Sequence, residues 1–249
     1  MCRMLGIFPK SEQPIDFSLV RSFRKLASCG NVGPGAEPGH MDGWGIVSWK
    51  NSIPTYLGRE PTDAFVDPKF EEACILGEKS ELSAPLLAHL RKASVGHKTL
   101  ANTHPFVLEN WAFAHNGTIR RLNLRYTTDS EWFFRSIMKE TEIRDGDVVR
   151  AIANQVAAVR SSYPYTSITF IMSSNKKMYA YRDATIHPNY YTIFLTETNN
   201  SYVFSQEKFF DANWRELGLG ELLVVDENGF RDAVNISEII DASNKSVIV

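Results

Sequence analysis

Hydrophobic positions along the chain follow two spacings, and the spacing changes from segment to segment. Met4, Leu5, Ile7 and Phe8 form a compact apolar run of the kind a short buried strand carries. Over residues 16–29 the apolar positions become Leu19, Phe23, Leu26 and Ala27, which predicts an amphipathic helix on a sheet with Asp16 or Ser18 as N-cap. Residues 30–39, with four glycines and two prolines, are too broken for regular structure and read as a mobile loop leading into a strand over 44–49. Asp67-Pro68 supplies an N-cap and a proline at the first helical position, predicting a short helix through Cys74.

Between 84 and 93 the period is two, so that His89 and Arg91 share one strand face while Ala88 and Leu90 share the other. A further strand over 111–115 is expected to end at an Asn116-Gly117 turn. Helices are predicted over about 129–140 and over 147–160, the second with a stripe of Val148, Ile152, Val156 and Val159. The remaining chain reads as three hairpins: 167–172 with 177–182, 191–197 with 201–205, and 221–226 with 230–234. Strands joined by tight turns, interleaved with a few amphipathic helices, predict an α+β fold of antiparallel sheets covered by helices. No repeat, low-complexity tract or linker divides residues 1–249, so a single domain is expected.

Composition narrows the class. With 43% apolar and 12% aromatic residues the chain can bury a full core. A formal net charge of −2 argues against nucleic acid or an anionic membrane as the main partner. No apolar run reaches the about 18 residues of a membrane span, and the N-terminus lacks the basic-then-apolar layout of a signal peptide. Three cysteines are too few and too odd for a disulfide framework, which suits a reducing compartment; the cytoplasm is the expected location.

The candidate chemistry begins at Cys2. Methionine removal is favoured when the next side chain is small. Cys2 would then carry a nucleophilic thiol and a free α-amino group whose unperturbed pKa, roughly 7.7–8.0, makes it a base near working pH. The plain alternative is a small apolar residue at a frayed end. Three polar stretches lie downstream: 87–91 (Leu-Ala-His-Leu-Arg), 102–106 (Asn-Thr-His-Pro-Phe) and 113–117 (Phe-Ala-His-Asn-Gly). Five of the six histidines fall between positions 40 and 115, which raises a metal site, although no pair has i, i+4 spacing and no carboxylate pattern accompanies them. A cysteine–histidine pair of protease type is a second alternative. His40, His97 and His187 read best as structural.

Taken together and in order, these motifs resemble the class II glutamine amidotransferases, N-terminal-nucleophile hydrolases with a cysteine at the mature N-terminus. The resemblance runs through Cys2-Arg3 with Leu5-Gly6, Asp42-Gly43-Trp44-Gly45-Ile46, Ala88-His89-Leu90-Arg91, Asn102-Thr103-His104-Pro105-Phe106, Ala114-His115-Asn116-Gly117 and Thr128-Asp129-Ser130-Glu131. Each motif alone is weak; six in family order are specific. They cover roughly the first 135 residues, and the short stand-alone branch of ergothioneine-pathway and glutathione-degrading amidohydrolases is the nearest in look. The resemblance implies a four-layer αββα sandwich of two antiparallel sheets.

It also implies roles. Cys2 would attack a side-chain amide carbonyl, its own amino group shuttling the proton. The Asn116 side-chain amide and the Gly117 N–H would form an oxyanion hole. Arg91 would clamp a substrate α-carboxylate, Asp129 would pair with the α-ammonium, and His104 would support the site without acting as base. The bland readings are a surface salt bridge for Arg91 and a helix N-cap for Asp129. Cys29 and Cys74, in apolar helical contexts, should be inert. Lys92 stands where the sugar-phosphate-synthesising members carry an aromatic residue, and Arg3 replaces their glycine, so substrate fit is expected to differ. The expected reaction is hydrolysis of glutamine or another small γ-glutamyl amide through a thioester on Cys2. The alternative is a glutaminase or non-catalytic regulatory subunit that works only with a separate synthase partner. No phosphate loop or dinucleotide fingerprint follows the helix over 147–160, and no synthase region is expected before Val249, so neither nucleotide nor metal cofactor is expected. Whether the chain forms a homo-oligomer is left open.

Overall fold

The sheet-forming runs pair into two antiparallel sheets stacked face to face. The computed structural model describes residues 2–33, 35–94, 96–123 and 128–245. The first half of the chain gives β1 (Arg3–Pro9), α1 (Phe17–Arg24), α2 (Leu26–Cys29), β2 (Trp44–Lys50), β3 (Ile53–Glu60), α3 (Pro68–Lys79), β4 (Leu86–Leu90), β5 (Phe106–Leu108) and β6 (Trp111–Ile119). The second half gives α4 (Asp129–Ile143), α5 (Val148–Ser162), β7 (Tyr165–Ser173), β8 (Lys177–Tyr181), β9 (Phe194–Glu197), β10 (Ser201–Ser205), β11 (Arg215–Glu216), β12 (Glu221–Asp226), β13 (Gly229–Asn235) and α6 (Ile236–Lys245). One sheet has the order β11-β9-β10-β1-β4-β2-β3 and the other β13-β12-β8-β7-β6-β5.

Alternation along each strand separates the layers. In β1, Leu5 and Ile7 turn to a core shared with Phe17, Val20 and Phe23 of α1 and with Phe70 and Ala73 of α3. Met4 and Phe8 of the same strand turn the other way and meet Ala112, Ala114, Ile171 and Met178 of the second sheet. That sheet's far face, with Phe113, Phe170 and Tyr181, packs on Phe133, Ile137, Ile152 and Val156 of α4 and α5. The result is a helix–sheet–sheet–helix sandwich. Burying each large side chain in these three cores stabilises by about 1.5–3 kcal/mol. Among the described residues no helix is long and apolar enough to cross a membrane.

Most predicted elements form, with informative differences. Asp16 caps α1 by accepting from Ser18 N–H at 2.8 Å, and the predicted helix breaks at Lys25 into α1 and α2. Asp67 caps α3, which runs to Lys79, beyond the expected end at Cys74. Edge strand β3 was not predicted. The Asn116-Gly117 pair is no turn: β6 continues through it to Ile119, with a register irregularity between Gly117 and Ile119. Gly117 has φ of +153°, and a Cβ there would lie 1.9 Å from Ser167 O, so only glycine fits.

Candidate active site

Strand parity decides what meets Cys2. Cys2 lies two residues before Met4 and so belongs to the face of β1 that looks toward the second sheet. His89 sits opposite Met4 on neighbouring β4, and Arg91 follows two residues later. From the opposing sheet, Asn116 shares the inward parity of Ala112 and Ala114 in β6. His115 turns outward with Phe113 toward α4, where its Nδ1 lies 2.8 Å from Ser130 Oγ and its Nε2 3.1 Å from Ser167 O.

Cys2 and Asn116 are bonded twice. The Cys2 N–H donates to Asn116 Oδ1 at 2.9 Å, and Asn116 Nδ2 donates to Cys2 O at 2.9 Å and to Gln206 Oε1 at 3.1 Å. The described contacts of Cys2 Sγ are to the Lys92 backbone, whose N–H donates to sulfur at 3.4 Å and whose O is 3.5 Å away, and not to a histidine. A small cavity opens beside the thiol. Its walls include Cys2, Arg91, Lys92, Asn102, His104, His115, Gly117 and Asp129, so of the residues given catalytic or substrate-binding roles from the sequence all but Asn116 contribute to the lining, and Asn116 touches it through Cys2.

Each wall residue is held by an identifiable bond. Arg91 is 3% exposed, which rules out a surface salt bridge, and its Nη1 donates to His97 O at 3.0 Å. Burial holds its guanidinium below the ordinary arginine range. Asp129 is equally buried and accepts the Ile119 N–H on Oδ2 at 2.7 Å. It is the first residue of α4 and not its cap: Thr128 accepts from Glu131 N–H at 3.1 Å, the cap geometry expected of a Thr-x-x-Glu start. The helix N-terminus at Asp129 favours a carboxylate there.

The histidines divide by surroundings. His89 and His104 are buried with ring centroids 4.4 Å apart, and none of their four ring nitrogens has a hydrogen-bond partner among the described residues. Burial pushes both well below the usual histidine range, and the facing positive groups, including Arg91, add to the effect. Burial thus favours the neutral form of both rings. Burial lowers His115 as well. His187 is exposed, and the His97 carbonyl serves Arg91 and the Asn102 Nδ2 donor. Among the described residues no three His, Cys, Asp or Glu side chains gather as a metal site.

Three residues named in the sequence make contacts there that the sequence did not indicate. Asp42 fastens the chain after Arg91: its Oδ2 accepts Ala93 N–H at 2.8 Å while its Oδ1 lies 2.5 Å from Lys98 Nζ. Arg3 is almost completely buried, donating to Cys2 O at 2.9 Å, to Glu207 Oε2 at 2.7 Å and to Asn31 O, with its guanidinium over the Tyr190 ring. Lys92 Nζ donates to Glu37 O and, at 3.2 Å, to Gly39 O, tying the segment that read as a free loop to the cavity wall. One expectation needs correction. Cys29 is exposed at the end of α2, not apolar in context, whereas Cys74 is buried and its thiol is pushed up to about 12 by burial.

Residues 1–215 match the glutamine amidotransferases class-II family. The chain belongs to the class II glutamine amidotransferases. Among the relatives of this amidotransferase, YafJ of Escherichia coli (strain K12) is 26% identical over 205 residues, covering 75% of each chain. A solved glutamine aminotransferase class-II domain protein from Silicibacter pomeroyi superposes with a TM-score of 0.60 at 19% identity, covering 94% of this chain and 99% of that one. The glutamine phosphoribosylpyrophosphate amidotransferase of B. subtilis gives a TM-score of 0.64 at 18% identity, covering 94% of this chain and 49% of that longer one. These likenesses show the fold: the two-sheet sandwich is shared with solved glutamine amidotransferases.

Proposed function

We propose that this amidotransferase hydrolyses glutamine or another γ-glutamyl amide through a thioester on Cys2, exposed by removal of Met1. The observation that supports the reading most is the convergence at one cavity of Cys2, with its N–H on Asn116, and of Gly117, Arg91 and Asp129. The Cys2 sulfur attacks the γ-carbonyl carbon while the α-amino group takes the thiol proton. The carbonyl oxygen becomes an oxyanion between Asn116 Nδ2 and the Gly117 N–H. The C–N bond breaks, the amino group returns the proton to the leaving nitrogen, and ammonia or an amine departs. Water then attacks the thioester, releasing glutamate and restoring the thiol. Arg91 and Asp129 hold the α-carboxylate and α-ammonium of the glutamyl group.

The Asn116 Nδ2 donor is engaged by Cys2 O and Gln206 Oε1, so stabilising an oxyanion requires it to turn from one of them. The deciding experiment is glutamate release by methionine-free protein from glutamine, glutathione and γ-glutamyl thiol conjugates, with intact mass confirming that Met1 is gone. A second reading, a glutaminase subunit silent until a synthase docks, draws support from the B. subtilis enzyme, of which this chain spans 49%. Activity that appears only on adding a partner would favour it.

A further inference from the structure

We propose that Gln206 is the positioning residue of the Asn116 amide, a role that rests on the γ-glutamyl hydrolase reading. Gln206 follows β10 and is 2% exposed. Its backbone is fixed on both sides: its N–H donates to Met4 O at 3.3 Å, and its carbonyl accepts from Thr192 Oγ1 at 2.8 Å. The side chain therefore leaves from a pinned main chain and reaches across the sheet interface to place Oε1 3.1 Å from Asn116 Nδ2.

The three bonds on the Asn116 amide settle its orientation. Oδ1 must face the Cys2 N–H, so Nδ2 faces Gln206, and an amide nitrogen of Gln206 in place of Oε1 would set donor against donor. With one Nδ2 proton held by Gln206, the amide plane is fixed. The direction of the other proton is set with it, toward Cys2 O, the partner that an oxyanion beside the thiol would replace.

Folding alone gives little reason for a glutamine here. Its Nε2 is buried with no hydrogen-bond partner among the described residues, and an unpaired buried donor opposes folding. An apolar side chain of the same length would fill the space without that cost. The amide oxygen is what an apolar residue cannot supply.

The test compares Gln206→Met, Asn116→Ala and the double variant in methionine-free full-length protein, reading kcat, KM, melting temperature and the rate of Cys2 alkylation by iodoacetamide, resolved by peptide mass. Gln206→Met should lower kcat about tenfold, a part of the 10²–10³ that losing an oxyanion donor costs outright, with KM within about twofold. Alkylation forms no oxyanion, so its rate should stay within about twofold, which a general disturbance of the site would not allow. In the Asn116→Ala background the Gln206 change should cost nothing further, because its effect runs through the missing amide. Unchanged kcat in Gln206→Met, or additive losses in the double variant, would overturn the proposal. If Gln206→Met does not fold, Gln206→Ser carries the same expectations. Should the wild type hydrolyse no γ-glutamyl amide, the hydrolase reading falls by itself. The Gln206 role is then read from slow solvent exchange of one Asn116 side-chain NH2 proton, lost in the variant; exchange unaffected by the variant refutes it.

Discussion

The Cys2 main chain and the Asn116 side chain form a reciprocal pair, N–H to Oδ1 and Nδ2–H to O, both at 2.9 Å, across 114 positions of sequence. One side chain thus both holds the proposed base in place and presents the proposed oxyanion donor. Asn116→Ala should lower kcat by about 10²–10³ with a smaller change in KM, because the bond counts most in the transition state. Steady-state kinetics on glutamine checks this, and a kcat within about threefold of wild type would remove Asn116 from the oxyanion role.

The three thiols should separate by reagent. Cys2→Ala abolishes hydrolysis, and a γ-glutamyl-shaped electrophile labels Cys2 alone. A small general alkylating agent also reaches exposed Cys29, while Cys74, its thiol pushed up to about 12 by burial, stays unmodified in the folded protein. Peptide mapping reads the pattern. Full activity in the Cys2 variant ends the mechanism.

Arg91→Lys tests head-group recognition. Lysine keeps the charge but loses the fork that grips a carboxylate at two points. If one charge-assisted hydrogen bond of about 1.5–3 kcal/mol is lost, KM for glutamine rises about 10–150-fold while kcat changes little. A KM that does not move would mean that Arg91 does not hold the substrate.

The buried histidines predict an acid limit to stability. In the folded state His89 and His104 lie well below the unfolded value of about 6.5, so below that pH the unfolded chain binds protons that the folded chain refuses. Stability therefore falls as pH drops through about 6.5 and onward, by at most about 1.4 kcal/mol per pH unit for each ring, and these two groups contribute no slope well above that pH. Urea midpoints at pH 7.5, 6.0 and 5.0 read it; equal midpoints across the series would contradict the buried neutral pair.

Gly117→Ala should be among the most damaging single changes in the chain. The added carbon would sit 1.9 Å from Ser167 O, a backbone atom of adjoining β7, at a φ of +153°. A cost of at least about 3 kcal/mol follows from strain and clash, lowering the melting temperature by roughly 6–12 °C in a protein of this size. Melting within about 2 °C of wild type would show that the strand can shift to make room.

Local signals carried most of the architecture. Asp16, the Asp67-Pro68 pair and the three hairpins were legible because caps and tight turns are decided by a few neighbouring residues. Strand β3 was not, because most of its residues are exposed or half-buried at a sheet edge and show no clean alternation. Asn116-Gly117 misled for a physical reason: the dipeptide is a strong turn signal, but its glycine is needed here to pass Ser167 O inside a strand. Cys2, Arg91, Asp129 and Gly117, which share one cavity, were singled out by ordered motifs. Gln206 and Glu207 were invisible, since their partners Asn116 and Arg3 are 90 and 204 positions away and nothing local marks them.

The burial of Arg3 bears on maturation. Chain ends ordinarily fray, and a reactive terminus that wandered would lose its alignment as soon as it was made. Here the peptide immediately after Cys2 is gripped by a guanidinium that is itself locked between Glu207, Asn31 and Tyr190, and Asn116 holds the same peptide from the facing sheet. Cutting away Met1 would accordingly be an unmasking and not a refolding: a neutral amide becomes an amine at a position the rest of the molecule has already surveyed and fixed.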